Sequence, residues 1–159
     1  MQTWQVALAF VAALGCGLIA GAFYAFSTFV MNALRRLPSD QGITAMQAIN
    51  IAVINPAFLG VFLATAAACA VLGVAAAMRW SQPGAAYLLG GASLYLVGAF
   101  LVTMLFNVPL NNALAKVTPG DLEARQIWTR YVSRWTMWNH VRTTAAAAAM
   151  AAFMLALRA

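Results

Sequence analysis

Long apolar runs separated by short polar islands organise this chain. A membrane-crossing helix needs about 20 predominantly apolar residues. The first run, from about Trp4 to Val30, satisfies that length. A second opens at Asn55-Pro56 and continues to about Met78. Asn suits its N-cap and proline its first turn. A third extends from about Ala85 to Phe106. Beyond it Pro109 removes a backbone donor and should kink or end the helix, although the apolar–polar pattern carries on to Val117. The last clean run, Thr143 to Leu157, has only 15 residues. That is too short to cross, so the fourth span must begin near Trp135. This length argument draws Asn139, His140 and Arg142 into the membrane end.

The islands carry their own signals. Pro38-Ser39-Asp40 reads as a helix start with Ser39 as N-cap. Ile43, Met46 and Ile49 follow at three-residue spacing, so a short amphipathic helix at the membrane interface is expected in the first loop. Arg79 to Gly84 should form a tight turn with Trp80 as an interface anchor. Thr118-Pro119-Gly120-Asp121 reads as another helix start, with Thr118 as N-cap. The predicted fold class is therefore all-α: an integral membrane, antiparallel four-helix bundle with an interfacial helix in its first loop. It forms one transmembrane domain, residues 1–159, with spans at about 4–30, 56–78, 85–106 and 135–157.

Composition strengthens that picture. Of 159 residues 64% are hydrophobic and only 8% charged, where a soluble domain averages about 25% charged. Lipid must cover much of the surface. The net charge of +6 would suggest nucleic acid in a soluble protein, but here the basic residues sit in short loops and at helix ends, where they set topology and meet lipid phosphates. Nucleic acid is not an expected partner; the bilayer is. The start, Met1 to Trp4, lacks a basic region and its apolar run is too long for a cleavable signal, so a retained first span is expected. Arg35 and Arg36 lie in the first loop, and Lys116, Arg125, Arg130 and Arg134 in the third. Those loops should be cytoplasmic and both termini outside. Gly17 and Gly21, in a G-x-x-x-G frame, could pack helices within one chain or join two chains into a homo-oligomer. Cys16 and Cys69 lie near the middles of their helices with no metal or redox spacing.

Polar side chains gather at one membrane face. Asn50, Asn55, Asn107, Asn111, Asn139, His140 and Arg142 all belong to the end carrying the first and third loops. Polar groups in hydrocarbon need internal partners, so they should converge. At ~100° per residue, Trp128, Tyr131, Trp135, Trp138, Asn139 and Arg142 share one face of the last helix, and His140 falls on a neighbouring face with Thr136 and Thr143. That aromatic, amide and guanidinium stripe suits a flat, electron-rich or anionic ligand, or else an aromatic belt with a snorkelling arginine. Arg142 has no acid within reach in the spans; Asp40, Asp121 and Glu123 are all in loops. His140 is the sole histidine. It can act as a general base or as a packed, carbonyl-bonded side chain. As a metal ligand it is isolated, so no metal site is expected. A bis-histidine haem is impossible in one chain, and a single axial haem ligand stays open. No phosphate loop, dinucleotide fingerprint or nucleophile elbow is present.

Several segments together resemble the anthrone oxygenase family of bacteria and fungi. They are Gly21-Ala22-Phe23-Tyr24-Ala25-Phe26-Ser27, Met46-Gln47-Ala48-Ile49-Asn50, Asn55-Pro56-Ala57-Phe58, Asn107-Val108-Pro109-Leu110-Asn111 and Trp135 through Thr143. The resemblance spans almost the whole chain in order. It implies a small membrane protein of a bacterial cytoplasmic membrane that oxidises an anthrone to an anthraquinone, with dioxygen as co-substrate and no resident cofactor. On that chemistry His140 would be the base. Arg142, Asn139 and Asn107 would stabilise the oxyanion, and Trp135 and Trp138 would wall a flat slot, with Asn111, Asn50 and Asn55 also binding substrate. The alternatives are a non-enzymatic membrane protein holding a quinone, a lipid or a partner subunit, and a haem or metal redox protein.

Overall fold

The computed structural model describes residues 1–159, and its regular structure is all helix, with no strand. Five helices follow one another: α1 (Thr3–Arg36), α2 (Ser39–Ala52), α3 (Pro56–Met78), α4 (Ala85–Leu114) and α5 (Ala124–Ala156). Three of them, α1, α3 and α4, are long and apolar enough to cross a membrane. The long helices pack in the cyclic order α1, α3, α4, α5, with α5 closing back onto α1.

The span limits read from the sequence move at three points. Helix α1 does not stop at Val30. It widens into a π-helical turn over Phe26–Val30 and runs on to Arg36, with Met31 and Leu34 buried. Helix α4 does not stop at Phe106 either. Pro109 has no N–H to donate and its ring crowds the carbonyl one turn back. Just ahead of it the chain opens into π turns over Leu94–Leu101 and Thr103–Asn107, where the Val108 N–H reaches back to Thr103 O, and the helix continues to Leu114. Thr118 caps nothing: Gly120 adopts a positive φ of 98° and turns the chain, and α5 starts at Ala124 behind Glu123. Asn55 caps α3 as expected, accepting the Phe58 N–H at 3.0 Å.

Two apolar cores result. The larger lies along the middle of the long helices and is rich in alanine, with Ile19, Leu72, Leu88, Tyr95 and Phe153 as its large members. Small residues there allow close backbone approach without hydrophobic driving force. A Cβ on Gly15 would collide with Thr65 Oγ1 of α3, and one on Gly17 would sit 2.9 Å from Met150 Sδ of α5, whereas Gly21 faces open space. The G-x-x-x-G frame thus spends Gly17 within the chain. Cys16 and Cys69 are both free thiols buried in this core.

The second core sits at the loop end. Ile43 and Met46 of α2 are fully buried against Trp128, Tyr131 and Trp135 of α5. The apolar stripe of α2 therefore docks on protein. Gln47 fixes the helix by donating from Nε2 to Leu114 O and Val117 O, both at 2.9 Å.

Candidate functional site

The face of α5 that bears Trp128, Tyr131, Trp135, Asn139 and Arg142 is buried, as its helical spacing demands. Arg142 is only 4% exposed. Its Nη2 donates to Asn139 Oδ1 at 2.6 Å and its Nη1 to Thr103 Oγ1 at 3.2 Å. The guanidinium carbon lies 4.1 Å from the centre of the Phe23 ring and 5.0 Å from that of Trp135. The cation is held by hydroxyl, amide and aromatic faces in place of an acid. Its Nε is buried without a partner.

Asn139, fully buried, carries the contact onward. Its Nδ2 donates to Phe23 O at 2.7 Å and to Ser27 Oγ at 2.8 Å. Thr143 spends its hydroxyl proton on Asn139 O at 2.8 Å, so Ser27 Oγ is the donor in its 3.0 Å contact with Thr143 Oγ1. A chain of polar groups thus links Arg142, Asn139 and Ser27. Both π segments supply it: Ser27 lies in the turn of α1, Thr103 in that of α4. π-helical turns recur at functional positions because they re-aim side chains.

A second polar group lies one and two turns along α4. Asn107 is 1% exposed and donates from Nδ2 to Trp135 O at 3.2 Å, leaving its Oδ1 without a partner. Asn111 Oδ1 accepts from Tyr131 Oη at 2.9 Å and Trp135 Nε1 at 2.8 Å. Trp135 is accordingly buried and tied on all sides, with the Phe26 ring 5.6 Å from its centre. Trp138 points away from this group and stacks on Phe106 at 3.8 Å. Asn50 Nδ2 is buried and unpartnered at the end of α2. Asn55 has both ends of its amide engaged by backbone, the second through Nδ2 to Ala52 O at 2.9 Å.

His140 is not brought to Arg142. It lies on the outer, exposed face of α5, about 160° around the helix from Arg142, because two residues at 100° each turn it away. There it lines a cleft of about 760 Å³ between α1, the start of α2, and α5. The cleft also takes in Ser27, Trp128 and Thr136, with Arg35 and Arg125 nearer its loop end and Asp40 beside them. Trp128 Nε1 and Thr136 Oγ1 are buried and have no hydrogen-bond partner. Ser27 is therefore the point at which the buried Arg142 network meets the cleft that holds His140. Sequence reading missed Ser27 and Thr103, since nothing in linear spacing announces a π turn; the one available signal was their position on polar breaks in otherwise apolar runs. No three His, Cys, Asp or Glu side chains converge to hold a metal ion.

These features define an all-helical, membrane-compatible protein with a buried arginine network opening through a serine onto a histidine-lined cleft. A model of the family described as anthrone oxygenase matches residues 57–152, more than half of the chain. The chain belongs to the anthrone oxygenase family. The match includes Asn107, Asn111, Trp135, Trp138, Asn139, His140 and Arg142. Neither the curated proteins nor the solved structures provide a match.

Proposed function

We propose that the protein is a membrane-embedded oxygenase that converts a lipophilic anthrone-type aromatic to a quinone with dioxygen, without a resident cofactor, in the cleft lined by His140. The observation that carries this reading is the meeting of His140, Thr136 and Ser27 in one cleft, with the Arg142–Asn139 pair behind Ser27. The substrate methylene flanked by aromatic rings is acidified by the carbonyl opposite. His140 takes one of its two protons, and Thr136 donates its unpartnered hydroxyl to the oxygen on which the negative charge settles, joined by Ser27 when its hydroxyl turns from Thr143 Oγ1 to the substrate. Asn139 polarised by Arg142 makes Ser27 the better donor, so Arg142 and Asn139 act as positioning residues. The electron-rich anion adds dioxygen to give a hydroperoxide. Loss of the second C–H proton with cleavage of the O–O bond yields the quinone carbonyl. In sum, CH₂ and O₂ become C=O and H₂O.

We further propose four crossings, with α5 as the fourth and the first and third loops cytoplasmic in a bacterial inner membrane. Arg35, Arg36, Lys116, Arg125, Arg130 and Arg134 at one end against Arg79 and Arg158 at the other support that orientation. The catalytic reading is tested with protein in lipid nanodiscs supplied with anthrone under controlled oxygen. Quinone should form well above the lipid-only rate, with one O₂ consumed per quinone. Equal rates with and without protein would defeat the proposal.

A further inference from the structure

His140 lines two cavities. Besides the polar cleft it borders a groove of about 940 Å³ between α4 and α5, formed by Gly90, Leu94, Val97 and Gly98 facing Val141, Ala145 and Ala148. Residues 136, 140, 144 and 148 follow at four-residue spacing along the outer face of α5. Thr136 belongs to the cleft, His140 to both, and Thr144 and Ala148 to the groove. The two cavities form one track along α5, polar on the loop side of His140 and apolar beyond it.

We infer that the groove is the lateral entrance and ring-binding half of the site: a flat, uncharged fused-ring aromatic enters from the bilayer between α4 and α5 and stops with its reactive carbon at His140. This rests on the reading that the His140 cleft is where reaction occurs. Five observations support it. The groove opens beside α4, one of the helices apolar enough to cross a membrane, so it meets the phase in which such a substrate dissolves. Its floor is flat, since Gly90, Gly98, Ala145 and Ala148 offer no more than a methyl group, and a Cβ on Gly98 would already collide with Ala145. It contains no Asp, Glu, Lys or Arg side chain. The stacked Phe106–Trp138 pair fills the α4–α5 crevice one turn loopward of Val141, which blocks further travel between the helices and holds the rings at His140. Unpartnered donors wait on the other side: Trp128, 4% exposed, lines the cleft with its Nε1 unused, as does Thr136 with its hydroxyl.

Gly90→Leu and Ala148→Leu test the groove. A side chain at Gly90 meets open space, so the first substitution narrows the groove without a clash. Gly60→Leu, also in open space but on α3, is the control. Two measurements are made in nanodiscs: steady-state turnover of bilayer-delivered anthrone, and equilibrium binding of anthraquinone by tryptophan quenching. The expected result is KM and Kd raised about tenfold in both groove variants with kcat within about twofold, and no change in Gly60→Leu. Unchanged KM and Kd in both groove variants would overturn the inference. Co-purified phospholipid that anthraquinone fails to displace, detected by native mass spectrometry, would overturn it too. His140→Gln separates the two readings. An active His140→Gln protein with weakened binding in the groove variants removes His140 as the base and keeps the entrance. An inactive one with unaffected groove variants keeps the base and removes the entrance.

Discussion

The two cores of this molecule are built on opposite principles. The central core is apolar: alanines, aliphatic side chains, three phenylalanines and two thiols, with its one buried phenol, Tyr95, donating to Phe62 O at 3.1 Å. The loop-end core combines tryptophan and tyrosine with aliphatic and methionine side chains, and in and around it Asn50, Asn107, Trp128, Thr136 and Arg142 each leave a buried polar atom without a partner. Native proteins satisfy most buried polar groups, because an unmade hydrogen bond costs about 1–3 kcal/mol. A packing requirement explains the first core. It does not explain why five such atoms gather at one end, and a site that receives a polar ligand or water does. On the proposed reading, stability rests with the middle of the helices and chemistry with their loop end.

Substitutions can break that division, and His140→Gln should have the largest effect. Losing the base should lower kcat by about 10²–10⁴-fold, the usual contribution of a positioned general base. The side chain is exposed, so the melting temperature should stay put. A matching fall in both quantities would mean that His140 is structural. Phe153→Ala probes the other core. Phe153 is fully buried between α1, α4 and α5, and its ring would meet any Cβ placed on Gly91 at 3.1 Å. Its loss should cost about 3 kcal/mol of stability by leaving a cavity. Turnover per folded molecule should be unchanged, and activity falling faster than folded protein would contradict the separation of roles. Arg142→Lys tests the link between the regions. A lysine keeps the charge but loses the flat guanidinium seated between Phe23 and Trp135 and the second donor to Thr103. We expect about tenfold loss in kcat with little change in KM, because the effect acts on the developing charge through Asn139 and Ser27. A change in KM alone would place Arg142 in ground-state binding.

The division between the ends was partly visible in the sequence. Hydropathy alone located α1, α3 and α4; of the three residues that the shortness of the Thr143–Leu157 run drew inward, Asn139 and Arg142 are buried and His140 is exposed. The α5 stripe of Trp128, Tyr131, Trp135, Asn139 and Arg142 was legible because a regular helix fixes its faces. What was not legible follows from irregular helix. The extension of α1 to Arg36 depends on a π turn, and the passage of α4 through Pro109, which the pattern to Val117 had left open, on two more; such turns change the number of residues per turn and have no propensity signature. Those same turns deliver Ser27 and Thr103 to the Arg142 network. The helical angle already set His140 on a different face from Arg142, and only the packing of α1 beside α5 reveals that Ser27 joins the two.

The smallest expected effect belongs to Asn55, and it sharpens the boundary of the site. Its residue type and its place at the polar end made it a candidate substrate ligand, yet its Oδ1 caps the Phe58 N–H and its Nδ2 donates to Ala52 O. An amide whose two ends are both occupied by backbone has little left to offer a ligand. Removing such a cap typically costs about 1 kcal/mol. Asn55→Ala should therefore lower the melting temperature by a few degrees and leave kcat and KM of the folded protein alone, while Asn55→Asp, which keeps the acceptor, should recover most of the lost stability. The comparison of these two variants isolates the cap from the site: if Asn55→Ala raises KM and the aspartate fails to restore it, the substrate reaches beyond the cleft to the α2–α3 corner, and the polar end of the molecule is a larger ligand surface than the track along α5.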